Sequence, residues 1–354
     1  MLTLLDRHIG RAMLVGTGLV LGVLAALLAL VVLVDALPDY GKGSFGLYEL
    51  VRYVVLSQPR KLYEIFPVAV LIGTLLGLST LAMNSELIAM RAAGVSKARI
   101  IGATLKTGVV LMVAVLLAGE YVVPQAETRA QTGRAQALEL SFRQGSAGLW
   151  LRDGASFVNI GEVLPDLTLV RLSIYDVAPD FTLARHVQAR RAQYVDGAWR
   201  LENVRSSRFE DGRALPESVP AAEWQSRLTP EVVAVFTTRP EALSIAQLRA
   251  YIAHLRANNQ DVARYVLVFW QKVLMPLATA LMIFLAAPFV FQPTRGGGLA
   301  QRVFLGVVLG LLFVVVNRSL GYLALIYGVP PLAAAIAPLV LFFVLAVVLV
   351  RRTA

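Results

Sequence analysis

The sequence contains no cysteine, which excludes disulfides, zinc–thiolate sites and thiol catalysis. Any water-soluble part must therefore stand on its own packed core. Charge is scarce as well: 16% of residues are Asp, Glu, Lys or Arg, against about a quarter in an ordinary soluble domain. Histidine occurs three times, as His8, His186 and His254, in separate regions and without metal-ligand spacing. No Gly-x-Ser-x-Gly elbow is present, and the apolar blocks hold no paired Asp or Ser–His set of the kind an intramembrane protease needs. Gly41-Lys42-Gly43-Ser44 resembles part of a phosphate loop, but that motif needs a Gly five residues before its last Gly and Ser or Thr directly after Lys. Ala36 stands at the first of these positions and Gly43 at the second. No catalytic residue, no metal site and no cofactor is expected, and any ATP hydrolysis belongs to another chain.

What is abundant is apolar: 57% of the 354 residues are hydrophobic, and the mean hydropathy is +0.67. They gather in blocks of about 20, the length that crosses a bilayer as a helix. The spacing predicts spans at about 12–34, 64–83, 103–122, 266–291, 303–325 and 331–350. The first block runs past 20 residues and has no small-x-small cleavage pattern before Asp35, so it reads as a retained span rather than a signal peptide. The expected fold is a six-helix membrane protein, 3+3, with an inserted all-β domain. Residues 1–122 hold the first three spans, 123–265 the insert, and 266–354 the last three.

The formal charge of +10 divides unevenly. Residues 123–265 hold 17 Arg and 16 acids, a net +1; the remaining 16 basic and 7 acidic residues supply +9 around the membrane blocks. A nucleic-acid binder would concentrate its charge in the soluble part, so nucleic acid is not an expected partner. Six crossings put both termini on one side. The segments on that side carry Arg7 and Arg11, then Arg91, Lys97 and Arg99, then Arg295 and Arg302, then Arg351 and Arg352. The short opposite loops carry Lys42, Arg52, Arg60 and Lys61, and none between 326 and 330. The positive-inside rule places the termini in the cytoplasm and the insert outside.

Within the insert, Val170, Leu172 and Ile174 alternate with Arg171, Ser173 and Tyr175, the period of a half-buried strand. Asp153-Gly154 and Asp196-Gly197 each separate two such runs, and Asp-Gly favours the type I′ hairpin turn. Hairpins in series imply a sandwich, jelly roll or barrel. A return helix over 244–258 opens with a Ser244/Gln247 capping box and carries one apolar stripe, Ile245, Leu248, Ile252 and Leu255, for the β domain or the lipid interface. On the cytoplasmic side, 84–95 reads as a short helix, with Glu86 in its first turn and Gly94 as C′ residue, exposing Leu87, Ile88 and Met90. It serves either as an interfacial helix or as a coupling peg for a cytosolic motor. Lys272, Arg318 and Glu120 lie near membrane depth. Such charges face a polar cavity or snorkel to the edge; both readings stand for Lys272 and Arg318, and snorkelling is expected for Glu120. Gly18/Gly22, Gly73/Gly77 and Gly306/Gly310 are GxxxG pairs that permit close helix approach, within the chain or to a partner.

Taken in order, several stretches resemble the lipopolysaccharide-export permease family, the LptF/LptG type. They are Leu5-Asp6-Arg7-His8-Ile9-Gly10, Ser85-Glu86-Leu87 through Ala93-Gly94, Gly119-Glu120 with Pro124-Gln125, Gly148-Leu149-Trp150 with Asp153-Gly154, Ala242-Leu243-Ser244-Ile245, and Tyr327-Gly328-Val329-Pro330-Pro331. The N-terminal and 148–154 stretches look most like the LptG branch. The resemblance implies a multi-pass protein of the bacterial inner membrane whose periplasmic domain is a β-jelly roll. It implies four partners: an LptF-like paralogous permease, a cytosolic ATPase dimer, periplasmic bridge proteins, and lipopolysaccharide as cargo. Cargo would enter from the outer leaflet between the first span of one permease and the fifth of the other. Glu86 matches the family's coupling-helix glutamate, with Leu87, Ile88, Met90 and Arg91 beside it. Arg134 matches an arginine placed to meet substrate. Where the family often carries lysines at the outer end of the first span, this sequence has Val32, Pro38 and Asp39. Arg318, Arg134, Lys42 and Lys272 are the cations left to meet lipid phosphates. The alternative is a membrane-anchored scaffold or mechanotransmitter without a substrate cavity.

Overall fold

The computed structural model describes residues 4–138, 149–164, 167–178, 182–210, 213–226, 228–230, 233, 240–257, 259–291 and 298–353. Gly148, Arg295 and position 258, used above, lie outside them. The helices are α1 (Leu4–Ala36), α2 (Leu47–Met83), α3 (Glu86–Ala92), α4 (Lys97–Leu117), α5 (Val123–Ala137), α6 (Ile245–Ala257), α7 (Ala263–Val273), α8 (Met275–Phe291), α9 (Leu299–Tyr327) and α10 (Pro331–Thr353). A π-helical turn, Ala118–Val122, joins α4 to α5. Five of these helical stretches are long and apolar enough to cross a membrane, and a bent pair, α7 with α8, makes a sixth. All six expected spans fall on them. The fourth is not straight: its axis bends by 50° between Val273 and Met275. Pro276 has no N–H to return to the Lys272 carbonyl and its ring crowds the preceding turn, so the helix restarts at that point.

Helix α2 is the central post, packed by α1, α5, α8 and α9. It meets α1 almost backbone to backbone. A Cβ added at Gly73 would lie 2.4 Å from Thr17 Cα, and one at Gly77 2.4 Å from the Ala12 carbonyl. Gly306 and Gly310 instead receive the side chains of Leu75 and Val68 from α2. Around Gly18 and Gly22 nothing described comes within 4 Å. Of the three glycine pairs, two therefore serve packing inside the chain. α1 and α9 leave long apolar faces open, Leu19, Val23, Leu27 and Leu30 on one, Val307, Leu311 and Val315 on the other. With 37 residues, α2 is about 55 Å long, nearly twice the hydrocarbon thickness. Its first turns and α5 extend beyond the bundle toward the β domain. Arg52, Arg60 and Lys61 ride on this extension, not in a loop as their spacing suggested.

The described strands of the insert form one antiparallel sheet, β1 (Leu149–Asp153), β2 (Ser156–Val163), β3 (Leu169–Val177), β4 (Leu183–Val195), β5 (Ala198–Glu210) and β6 (Arg213–Trp224), paired in sequence order. Asp196 and Gly197 both have positive φ, as a type I′ turn requires. The first hairpin differs: Asp153 pairs with Ser156, so the turn residues are Gly154 and Ala155, and of these Gly154 alone has positive φ. One face buries Leu151, Val158, Ile160, Leu172, Ile174 and Trp199, and α6 closes over this core with Leu248, Tyr251 and Leu255. The apolar stripe of the return helix thus belongs to the β domain.

The period-2 reading of β3 fails at one point. Leu169, not Val170, joins Leu172 and Ile174 in the core. Arg171 has φ +55, in the left-handed region, and this turns the alternation by one residue. The same step runs across the sheet. The pairs 161/171, 171/190, 190/203 and 203/220 are missing from the ladders, whose other described irregularity is a register shift between Asp176 and Val177 on β3, and Asn203 also has positive φ. Inward residues accordingly skip from Ile160 to Val163, Ala189 to Ala192 and Leu201 to Val204. A fault shared by five strands keeps all of them in mutual register, which a slip in one strand could not.

Candidate functional site

At the end of the bundle that carries the termini, α3 is clamped on both flanks. Its C-terminus closes with Val95 N–H on the Met90 carbonyl and Gly94 N–H on that of Arg91, with Gly94 at φ +88, a Schellman motif. Leu87 is buried with Ile9, Leu78, Leu81 and Ile100, and Met90 packs partly against the same cluster. Ile88, Arg91, the small side chains of Ala89 and Ala92, and part of Glu86 are left to face a partner; the expected exposure of Leu87 and Met90 gave way because a seven-residue helix needs an apolar anchor. The Glu86 carboxylate accepts a hydrogen bond from His8 Nε2 at 2.5 Å. This bond holds the Glu86 carboxyl below the usual carboxylate range. The tie is therefore at full strength at neutral pH and is lost as the pH falls through that lowered value. Nearby, buried Asp6 takes ion pairs from Arg99 at 3.2 Å and Lys106 at 2.9 Å, joining α1 to α4.

The expected substrate residues separate into two groups. Asp39 draws both Lys42, at 3.1 Å, and Arg134 into ion pairs, and Arg134 also donates to the Tyr53 hydroxyl and stacks 4.9 Å over its ring. The acid that replaces an expected lysine thus organises the two nearest cations. Arg318 and Lys272 lie elsewhere, on a cavity of about 550 Å³ between α2, α7, α8, α9 and α10. Arg318 sits at its rim, 3.5 Å from Glu64. Lys272 is 4% exposed and lies 4.9 Å over the Tyr63 ring. Seven residues separate Arg134 from Glu127 on α5, and Glu127 pairs with Arg60 at 3.1 Å beside the cavity. The two groups are therefore about two helical turns, about 10 Å, apart along the extension.

Glu120 does not snorkel. Its carboxylate accepts the backbone N–H groups of Ile245, at 2.9 Å, and Ala246, at 3.2 Å, at the first turn of α6. The predicted capping box is present beside it: Ser244 N–H donates to Gln247 at 2.9 Å and Gln247 N–H to Ser244 Oγ at 3.1 Å. Glu120 lies in the π-helical turn, so the third span is fastened to the helix that closes the β core. Glu120→Ala removes an anion from a helix N-terminus together with two charge-assisted bonds, about 1.5–3 kcal/mol. The expected result is faster hydrogen exchange in α6 with the α1–α2 packing unchanged; unaltered exchange in α6 would refute it. Glu64, Tyr63 and Glu127 were missed from the sequence, because nothing in their spacing marks them; a carboxylate one helical turn from Arg60 was the available hint.

A model of the family "Lipopolysaccharide export system permease LptF/LptG" matches residues 7–352. The chain is similar to the "Lipopolysaccharide export system permease protein LptG" of Escherichia coli strain K12, with 34% identity over 355 residues, covering 98% of each chain. It is equally similar to the protein of that name from Haemophilus influenzae, 34% identical over 351 residues, covering 98% of this chain and 97% of that one.

Proposed function

Because the chain belongs to the LptF/LptG family of lipopolysaccharide export system permeases, we propose that it is the LptG-type half of an ATP-driven exporter that extracts lipopolysaccharide from the inner membrane. Permeases of this family are transporter subunits, not enzymes. In this reading the chain pairs with an LptF-like paralogue on a cytosolic ATPase dimer. It hands its cargo to periplasmic bridge proteins leading to the outer membrane. Both termini and α3 face the cytoplasm, and the β domain faces the periplasm.

The observation that carries the proposal is the openness of α1 and α9, the least buried of the five straight spanning helices. Their apolar faces are broad and contiguous, and faces of this size are suited to a partner permease, lipid acyl chains, or both. The cavity with cations at its rim favours transport over the scaffold alternative, for which a dry, closed bundle would speak. Arg134 and Lys42 at the outer end of α1, and Arg318 with Lys272 beside α9, are the side chains proposed to meet lipid phosphates through charge-assisted bonds.

The motor stroke enters through Glu86, Ile88 and Arg91. Leu87 and Met90 lock α3 to the bundle, and His8 carries the displacement of Glu86 to α1. Glu86→Ala is expected to lower lipopolysaccharide-stimulated ATP turnover about tenfold, the equivalent of one charged hydrogen bond, with assembly retained. Purification from membranes is the first test. An ATPase dimer, a paralogous permease and bound lipopolysaccharide should come along; a lone, lipid-free chain overturns the proposal.

A further inference from the structure

Five basic side chains and two carboxylates line the 550 Å³ cavity: Arg60, Lys61, Arg264, Lys272 and Arg318 against Glu64 and Glu241, a net lining charge of +3. The carboxylates close to Lys272 are all engaged elsewhere. Glu64 holds Arg60 at 2.7 Å and Arg318 at 3.5 Å, Glu241 holds Arg264 at 3.4 Å, and Glu120 caps α6. Lys272 Nζ has no hydrogen-bond partner among the described residues. The Tyr63 ring beneath it offers a cation–π contact, which stabilises the charge but accepts none of its three N–H bonds. An ammonium group buried at membrane depth without a partner is costly, and such groups mark binding sites.

The level and shape of the cavity narrow the ligand. Glu64 lies 19 residues before Met83 on α2, about 28 Å along the axis, which is the hydrocarbon thickness. Lys272 and Arg318 therefore sit where the headgroups of one leaflet begin, and Val68, Ala278, Phe313 and Leu339 line the wall running from there toward the core of the bilayer. A cationic mouth above an apolar wall complements an anionic group carried on an acyl chain.

We propose that Lys272 and Arg318 bind the phosphate of one acylated amphiphile held inside this chain, separately from the gap between the two permeases. The inference rests on the reading of these two residues as lipid-phosphate contacts and adds the location and the ligand class. The phosphate can come from a resident glycerophospholipid or from the exported glycolipid. In either case it supplies the acceptors Lys272 lacks, and its chain fills the apolar wall.

The test uses the complex with its partner chains, stripped of lipid in detergent. It is then incubated with phosphatidylglycerol, with lipid A, or with inorganic phosphate, and bound ligand is read by native mass spectrometry. Wild type is expected to retain one lipid per copy of this chain. Lys272→Met, which keeps the volume and apolar stem, should weaken retention at least about tenfold, and Lys272→Arg should restore it. Loss of phosphatidylglycerol in the Met variant identifies a resident phospholipid; loss of lipid A alone identifies the cargo. Equal retention by wild type and Lys272→Met, or inorganic phosphate binding as well as either lipid, overturns the proposal. Lipopolysaccharide release by the same preparations is measured alongside. A complex that never releases it refutes the export function without touching the lipid site.

Discussion

Gly73→Leu is expected to abolish recovery of folded complex from membranes, while Gly18→Leu leaves the fold of the chain intact. At Gly73 the new Cβ would meet Thr17 Cα at 2.4 Å and Thr17 N at 2.6 Å, and a Cβ added at the facing Gly16 would lie 2.4 Å from the Gly73 carbonyl. These are backbone atoms of two packed helices, so no rotamer change relieves the clash. Overpacking usually costs about 1–3 kcal/mol; separating α1 from the central post lies at or beyond the top of that range. Gly18 has nothing within 4 Å and serves as control. Yield and size-exclusion profile of the two variants check the result. A wild-type profile for Gly73→Leu would mean that α1 does not seat on α2 as described.

The second large effect is expected at the ion pair that fastens α5 to α2. Glu127 is 2% exposed and Arg60 8%, with Nε and Oε2 3.1 Å apart. Gln131 donates to the other Glu127 oxygen at 2.9 Å, and Arg60 Nη1 donates a hydrogen bond to Glu64 at 2.7 Å. Arg60→Met leaves Glu127 as a buried carboxylate without its cation, at a cost of about 3–5 kcal/mol. Arg60→Met with Glu127→Met removes both charges and is expected to recover most of that loss, because desolvation of the pair offsets much of its attraction. Thermal unfolding of the three variants in detergent tests this. If the double variant were as unstable as the single one, the pair would be stabilising in its own right.

Several features were legible because they depend on nearby residues alone. The Ser244/Gln247 box formed as written, since both partners lie within one turn. Gly94 ends α3 because a left-handed C′ position favours glycine. Other features were not legible. Val170-Arg171-Leu172 reads as clean alternation, yet the step at Arg171 is shared with Arg190 and Asn203 on neighbouring strands, and no single strand announces it. The three glycine pairs look alike in sequence, but only the helix that faces each one decides whether it is a packing surface. Lys42, Arg318 and Lys272 stand out in the sequence by their closeness to span ends, and Arg134 by the family resemblance; neither gives azimuth. Once folded, the set separates around Asp39 and Glu64.

Composition and period by themselves determined that this protein crosses a membrane six times around a β insert. Burial of apolar surface and internal satisfaction of backbone hydrogen bonds are requirements each segment meets alone. The family could likewise be read from short stretches in order. Only the tertiary structure decided that the fourth span breaks after Val273, that Glu120 caps a helix 125 residues away, that Leu87 turns inward, and that Lys272 is buried over Tyr63. Each of these is a contact between residues far apart in sequence, and its energy depends on distance and solvent exclusion that no linear spacing encodes.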